Sequence, residues 1–541
     1  MTTSSTVRDA EAPIPSRTRS AVVGLVAFAG LMIITSCFAL LTPLSASPDE
    51  PDHWRQAYGY WTGQAPLLFG AAEGEAVYLV PESMSGYLAQ CTYQQPTVSA
   101  DCLPEVGGNN LVEDYSIAKL YPPAFYASVG WVGRLFEGET ALYGLRLTAA
   151  ALFSALVAAA MALMFRARVN WRGSLTLMLG LTPAVYFLAG TFNPASIEVA
   201  GMALLAVIAW RCYREPTGHF GWFVALSLVA VYVALLTPLS AVMVGVALVG
   251  LTVALLPRRH WRSFGWKLTI LATVLLIYLL VSLAINGAGG MYAGSESGVP
   301  LFSRYSLITT VWKGIGLPSG WVSQMGWLDT GANSLSLAAW FAAIGMLLLP
   351  ILLRLRRPHW LGLLVVLGSL TLLMLFLDNY VSRAQGIPFW QARHAAPLLM
   401  VALLLVPLSL KRSHGLRLTK PVIRMTGLMV LATVVAASMM VVRYGWGPAW
   451  DGPWYPARWL PLDYNGKLTL LALFLIAFGL VIVALSPFLL LRRPPATESA
   501  SSAQSGSSDE TALIGLKAAE TGSSLSPRTS TSSAPERWRE P

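Results

Sequence analysis

Apolar runs recur along this chain from Ala21 to Leu491, and they constrain its fold more than any other feature. A bilayer core of roughly 30 Å needs about 20 apolar residues at 1.5 Å per residue. Twelve runs reach or approach that length: 21–42, 141–165, 172–190, 195–210, 219–237, 239–256, 267–286, 335–353, 359–377, 394–410, 425–442 and 468–491. A thirteenth, 122–136, is short and carries Gly130 and Arg134, so it reads as a helix lying along the membrane interface. Hydrophobic residues make up 55% of the chain and charged residues 12%, against roughly 45–50% and 25% in soluble domains. That balance excludes a soluble enzyme, a nucleic-acid-binding protein and a disordered chain. The expectation is an all-α integral membrane protein with about 12 transmembrane helices.

Twelve spans place both termini on one side. That side collects 26 of the 37 Lys and Arg residues but only 9 of the 27 Asp and Glu. The positive-inside rule makes it the cytoplasm of a plasma membrane. Counting 122–136 as a span would put Arg166, Arg168 and Arg172 outside. The net charge of +10 therefore reflects orientation and implies no nucleic-acid partner. Residues 1–20 form a cytoplasmic tail, 21–492 the membrane domain and 493–541 a second cytoplasmic tail. This last stretch holds twelve serines and too little apolar surface to fold, so it is expected to be disordered.

The first outer loop, 43–140, is too long for a simple connection, and 287–334 and 443–467 are further outer segments. Cys91 and Cys102 lie in the first loop, on the oxidising face, and are expected to form a disulfide. Cys37 and Cys212 read as free, buried thiols. Eleven of the nineteen tryptophans fall in the outer segments, in keeping with an interfacial aromatic belt. The cluster from Trp446 to Trp459 is denser than a belt needs and reads as a lid.

The stretch SPDEPDHWRQAYGYWTG opens the first outer loop at residue 47. Ser47 and Glu50 have capping-box spacing, and Pro48 suits a first helical position. A helix from Pro48 to Trp61 puts Trp54, Tyr58 and Trp61 on one face and Asp49, His53, Gln56 and Tyr60 on the other. This predicts an amphipathic helix on the outer leaflet. Its carboxylates either cap the helix start or act as a base where a lipid-borne substrate meets an outer acceptor. Asn193 and Glu198 at the start of the fourth span and Asp329 before the eighth are ionisable or polar groups near membrane depth, and become candidate substrate-binding residues. Asp329 has Arg383 or Arg393 as its expected partner. No His pair has metal-ligand spacing and no Gly-rich phosphate loop occurs.

An acidic motif directly after the first span resembles the GT-C glycosyltransferases, membrane enzymes that use polyprenyl-phosphate sugars. Six stretches look closer still to an uncharacterised bacterial membrane family, domain of unknown function 2142, related to that group. They are PDEPDHWRQAYGYWTG (48–63), KLYPPAFY (119–126), LYGLRL (142–147), LTPAVYFLAGTFNPASIE (181–198), MGWLD (325–329) and QARHAAPLL (391–399). The resemblance implies a GT-C-like bundle whose first outer loop carries interfacial helices, the second starting at Tyr121-Pro122-Pro123. It implies that Asp49 is the base or a metal ligand, with Glu50 beside it and His53 orienting the pair. Arg146 and Arg393 stand at outer span ends, where a guanidinium fork suits a polyprenyl phosphate. Where the family usually has Gly-Arg-Tyr, this chain has Ala392-Arg393-His394, so the tyrosine contact does not carry over.

The reading that follows is a glycosyltransferase that moves a sugar from a polyprenyl-phosphate donor to a cell-envelope glycan, lipid or protein. No cofactor is required, although a divalent metal is compatible with the chemistry. Two rivals stand beside it: a transporter or flippase of lipid-linked sugars, and a non-catalytic envelope assembly protein. A transporter usually carries charges deep within its spans, whereas the polar residues here gather at outer span ends.

Overall fold

The computed structural model describes residues 16–65, 76–167, 169, 171–214, 219–237, 239–286, 304–331, 333–385, 391–410, 419–446 and 466–489. The tail 493–541 and most of the tryptophan-rich lid segment lie outside the described residues. Helices α1 (Arg17–Leu41) and α2 (Glu50–Trp61) come first, then a hairpin of β1 (Ala76–Pro81) and β2 (Leu111–Ser116). The chain continues through α3 (Ala124–Val129), α4 (Gly138–Arg166), α5 (Trp171–Gly180), α6 (Pro183–Ala189), α7 (Pro194–Arg214), α8 (His219–Ala234), α9 (Ser240–Leu255) and α10 (Trp261–Asn286). It ends with α11 (Arg304–Ser323), α12 (Ser334–Leu352), α13 (Arg357–Gln385), α14 (Ala392–Leu408), α15 (Lys420–Trp446) and α16 (Lys467–Leu489).

Seven helices among the described residues, α1, α4, α7, α12, α13, α15 and α16, are long and apolar enough to cross a membrane. Shorter apolar helices lie within α8, α9, α10 and α14. With the broken pair α5–α6 these fall in order on the twelve apolar runs. The break follows from sequence chemistry: Thr182 caps α6 by accepting from the Val185 amide at 3.3 Å, and Pro183 opens the new helix. The bundle centres on α7, which packs against α4, α8, α9 and α14 and is buried along nearly its whole length. Lipid-soluble helices gain little from burying apolar surface against each other, so close approach matters. A Cβ at Gly30 of α1 would lie 2.5 Å from Val483 and 3.2 Å from the Gly479 carbonyl of α16. Glycine lets these two backbones touch.

Three expectations change. The segment 287–334 is no plain loop: α11 occupies 304–323 and packs against α6, α13 and α14. The hairpin pairs Ala76 with Ser116 through Pro81 with Leu111, strands that period-3.6 reading did not find. The third is α2, which is a buried helix and no leaflet-bound one. Glu50, His53, Trp54, Arg55, Gln56, Ala57 and Gly59 are all buried. The hairpin and the helical turns 124–134 cover it. Tyr78 donates to Gln56 at 2.8 Å, Trp61 to the Tyr126 carbonyl at 2.8 Å, and Arg55 bridges Asp52 and Asp114 at 2.7 and 3.2 Å.

Candidate functional site

The site is built on the eight residues between α1 and α2. Residues 42–48 are all buried, so their backbone carbonyls need partners. Side chains from four distant parts of the chain supply them. Arg146 donates to the carbonyls of Thr42 and Pro43, Trp327 to Ser45, Tyr444 to Ala46 and Asn193 to Pro48, at 2.7 to 3.1 Å. Ser45 and Asp49 both have left-handed backbones, with φ of 64° and 62°. Such conformations cost on the order of 1 kcal/mol or more and persist where the surroundings over-determine them.

Glu50 and Arg146 correct the sequence reading. All five guanidinium N–H groups of Arg146 are engaged: two on Glu50 at 2.8 and 2.7 Å, and three on the carbonyls of Ala39, Thr42 and Pro43. Glu50 Oε1 also accepts from the Phe192 amide at 3.0 Å. Both side chains are completely buried. Arg146 has no donor left for a phosphate, and Glu50 no access to an acceptor. Their pairing fixes the end of α1 to α4 and the start of α2. It also removes the expected capping box, since Ser47 turns to the Thr191 hydroxyl at 3.1 Å.

Asp49, one residue earlier, has the opposite setting. As N-cap of α2 it makes no side-chain cap bond, and its carboxylate instead meets Arg393 at the start of α14. The Asp49 side chain is 25% exposed and Arg393 9%. Burial alone would raise the Asp49 carboxyl, but the charge and hydrogen bond of Arg393, together with the nearby imidazoles of His53 and His394, outweigh it and hold the group below the usual carboxylate range. His53 stands one helical turn on. Its Nδ1 bonds the Tyr126 hydroxyl at 2.8 Å and its ring packs edge-on against Tyr121, centroids 4.9 Å apart. Burial pushes this imidazole down to about 3, so it is neutral at physiological pH. A cavity beside the pair is lined by Pro48, Phe187, Leu188, Trp321, Leu328 and Arg393, among others.

The remaining candidates are structural in their contacts. Asn193 donates to the Pro48 carbonyl at 3.0 Å and accepts from the Ala195 amide, also at 3.0 Å, so it anchors the loop. Glu198 is buried and accepts from Ser240 of α9 at 2.8 Å, which joins α7 to α9 away from the cavity lining. Asp329 pairs with Arg443 at 2.8 Å and not with Arg393, because α15 ends beside the 325–330 turn, while the Arg383 side chain lies outside what the structure describes. Cys91 and Cys102 form a disulfide, and Cys37 and Cys212 are buried and take no part in one. Among the described residues no group of three His, Cys, Asp or Glu side chains is placed to hold a metal ion. Sequence reasoning missed Tyr126, Trp327, Arg443 and Tyr444. The first two sit inside the quoted motifs, while Arg443 and Tyr444 give no signal of their own.

A family model described as "Predicted membrane protein (DUF2142)" matches residues 32–410. Two crystal structures of ArnT from Cupriavidus metallidurans are similar to this chain at 14% identity. The one bound to undecaprenyl phosphate has a TM-score of 0.40 and covers 87% of this chain and 76% of its own. The apo form has a TM-score of 0.42, covering 87% and 77%. No curated protein matches the sequence.

Proposed function

The chain belongs to the membrane-protein family of domain of unknown function 2142, and from that premise we propose that it is a glycosyltransferase of the GT-C kind. It transfers a sugar from a polyprenyl-phosphate donor to a cell-envelope acceptor on the extracellular face. The single observation that carries this reading is the Asp49–Arg393 pair, partly open and beside a cavity, while the neighbouring Glu50–Arg146 pair is sealed.

The pair suits such a transfer by exchange of partners. The donor phosphate competes with Asp49 for Arg393. The released carboxylate accepts the proton of the acceptor hydroxyl, and the acceptor oxygen bonds the anomeric carbon. The bond from that carbon to the phosphate oxygen breaks, and its electron pair leaves on the polyprenyl phosphate, which Arg393 stabilises. His53, neutral and fixed by Tyr126, keeps the Asp49 environment from gaining a second positive charge.

Membranes carrying wild type or Asp49→Asn, supplied with a panel of radiolabelled polyprenyl-phosphate sugars, test the reading. Wild type is expected to label an envelope acceptor, and the variant to do so at least ~100-fold more slowly. Equal labelling removes Asp49 as base. Absence of labelling with every donor favours transport of lipid-linked sugars or a non-catalytic assembly role.

A further inference from the structure

The disulfide loop 91–102 reaches far from its own hairpin. Its Gln95 and Val98 carbonyls accept from Arg443 at the end of α15, at 2.7 and 2.5 Å. The same guanidinium holds Asp329 at 2.8 Å, and both charged side chains are at least nine-tenths buried. Within the loop, the Tyr93 ring stands edge-on to Trp327, centroids 4.6 Å apart. Asp329 and Trp327 both belong to the tight reversal closed by the Met325–Thr330 backbone pair. That reversal is conformationally demanding. Gly326 and Leu328 have φ of 63° and 64°, and a Cβ at Gly326 would meet Asp329 Oδ1 at 2.5 Å and Tyr444 Oη at 2.7 Å.

The other side of the reversal faces the candidate site. Leu328 lines the cavity together with Pro48 and Arg393. Trp327 donates to the Ser45 carbonyl at 2.8 Å, and Tyr444, next to Arg443, donates to that of Ala46 at 3.1 Å. A non-glycine residue in left-handed geometry is held there by its surroundings. For Leu328 those surroundings are the Gln324 amide on its carbonyl, at 3.0 Å, and the stapled loop across the turn.

We infer that the disulfide loop is a strap and that Arg443, Asp329 and Trp327 are positioning residues, holding the 325–330 turn as one wall of the donor cavity. The inference rests on the proposed function for its purpose, though not for its geometry. The staple fixes two carbonyls at the spacing that one guanidinium fork can grip. Arg443 passes that constraint to Asp329, and Trp327 passes it to the loop that carries Asp49. Opening the staple frees the two carbonyls, and the turn loses its outer support.

Hydrogen exchange on the full-length protein, oxidised and reduced, tests the strap without substitution. Reduction is expected to speed exchange across 325–330 by ~10-fold or more, while the α1–α16 crossing stays protected. Arg443→Met is expected to act in the same way with the disulfide intact, and Arg443→Lys to act partially. Unchanged exchange at 325–330 in the reduced protein overturns the strap and leaves the glycosyltransferase reading untouched. The positioning role is read with radiolabelled undecaprenyl phosphate as probe. Its dissociation constant is expected to rise ~5-fold or more on reduction, equivalent to about 1 kcal/mol. Faster exchange with unaltered binding overturns that role. Absent sugar transfer by oxidised wild type counts against the proposed function alone, since exchange and binding are measured without turnover.

Discussion

Asp49 and Glu50 are consecutive carboxylates, and each faces a guanidinium, yet they sit in opposite environments. Glu50 and Arg146 are both 0% exposed, with every guanidinium donor used. Asp49 is a quarter exposed, and its partner Arg393 lines a cavity. The difference teaches that residue type and sequence position do not assign a role. What assigns it is whether the pair has spare hydrogen-bonding capacity and a route to a ligand. A sealed pair anchors backbone; a half-open one can exchange partners.

Breaking the sealed pair is expected to have the largest effect. Arg146→Met leaves Glu50 buried without its counter-charge and frees the carbonyls of Ala39, Thr42 and Pro43, a loss of ~3–5 kcal/mol. Thermal unfolding in detergent measures it, and a variant as stable as wild type would show the pair to be dispensable. Asp49→Asn inverts the pattern. Transfer is expected to fall by ~100-fold or more, equivalent to about 3 kcal/mol in the barrier, while stability falls by only ~1–2 kcal/mol. If Asp49→Asn and Arg146→Met unfold alike, the contrast between the two pairs disappears.

Acid separates the neighbours more finely. His53 has a folded pKa near 3, below its unfolded value of about 6.5, so the unfolded chain binds more protons in between. Stability from keeping His53 neutral is therefore present above pH ~6.5 and lost as pH falls toward 3, at up to ~1.4 kcal/mol per pH unit. Asp49 is held below its ordinary value, so its contribution is lost only as pH falls below about 4. Unfolding measured across pH in wild type and His53→Phe resolves the two windows. The variant is expected to lose the share of the slope between about 6.5 and 4 that His53 contributes. The smallest effect is expected for Asn193→Ala. It removes one donor from the Pro48 carbonyl and should lower stability by ~1–2 kcal/mol, with a modest rise in the donor KM. A drop in kcat matching that of Asp49→Asn would move Asn193 from anchor to catalytic group.

Much of the bundle was legible. Helices of the bundle recur at the twelve apolar runs because burying backbone in lipid demands helices of that length. The α5–α6 break was written in Thr182-Pro183 but masked by an apolar run that continues through it. The α11 helix was missed because Lys313, Gly316, Pro318 and Gly320 interrupt its hydropathy. The hairpin escaped because its strands lie thirty residues apart, and no local signal pairs them. At the site, the acidic motif and Arg393 stood out as candidates in the sequence, but the mutual burial of Glu50 and Arg146 did not. Ninety-six residues separate them, and no periodicity measures whether five donors are already spent.

The sequence by itself determined that this chain is a multi-helix membrane protein with an acidic motif after its first span. Hydropathy and helix length depend only on which residues follow one another. Tertiary structure alone decided which carboxylate is sealed and which stays partly exposed. Burial and donor counts depend on side chains brought together from α4, the turn before α7, α14, α15 and the 325–330 turn. Electrostatic role is set by that enclosure, because a charge matched on every side is fixed in place and a charge left half open remains available.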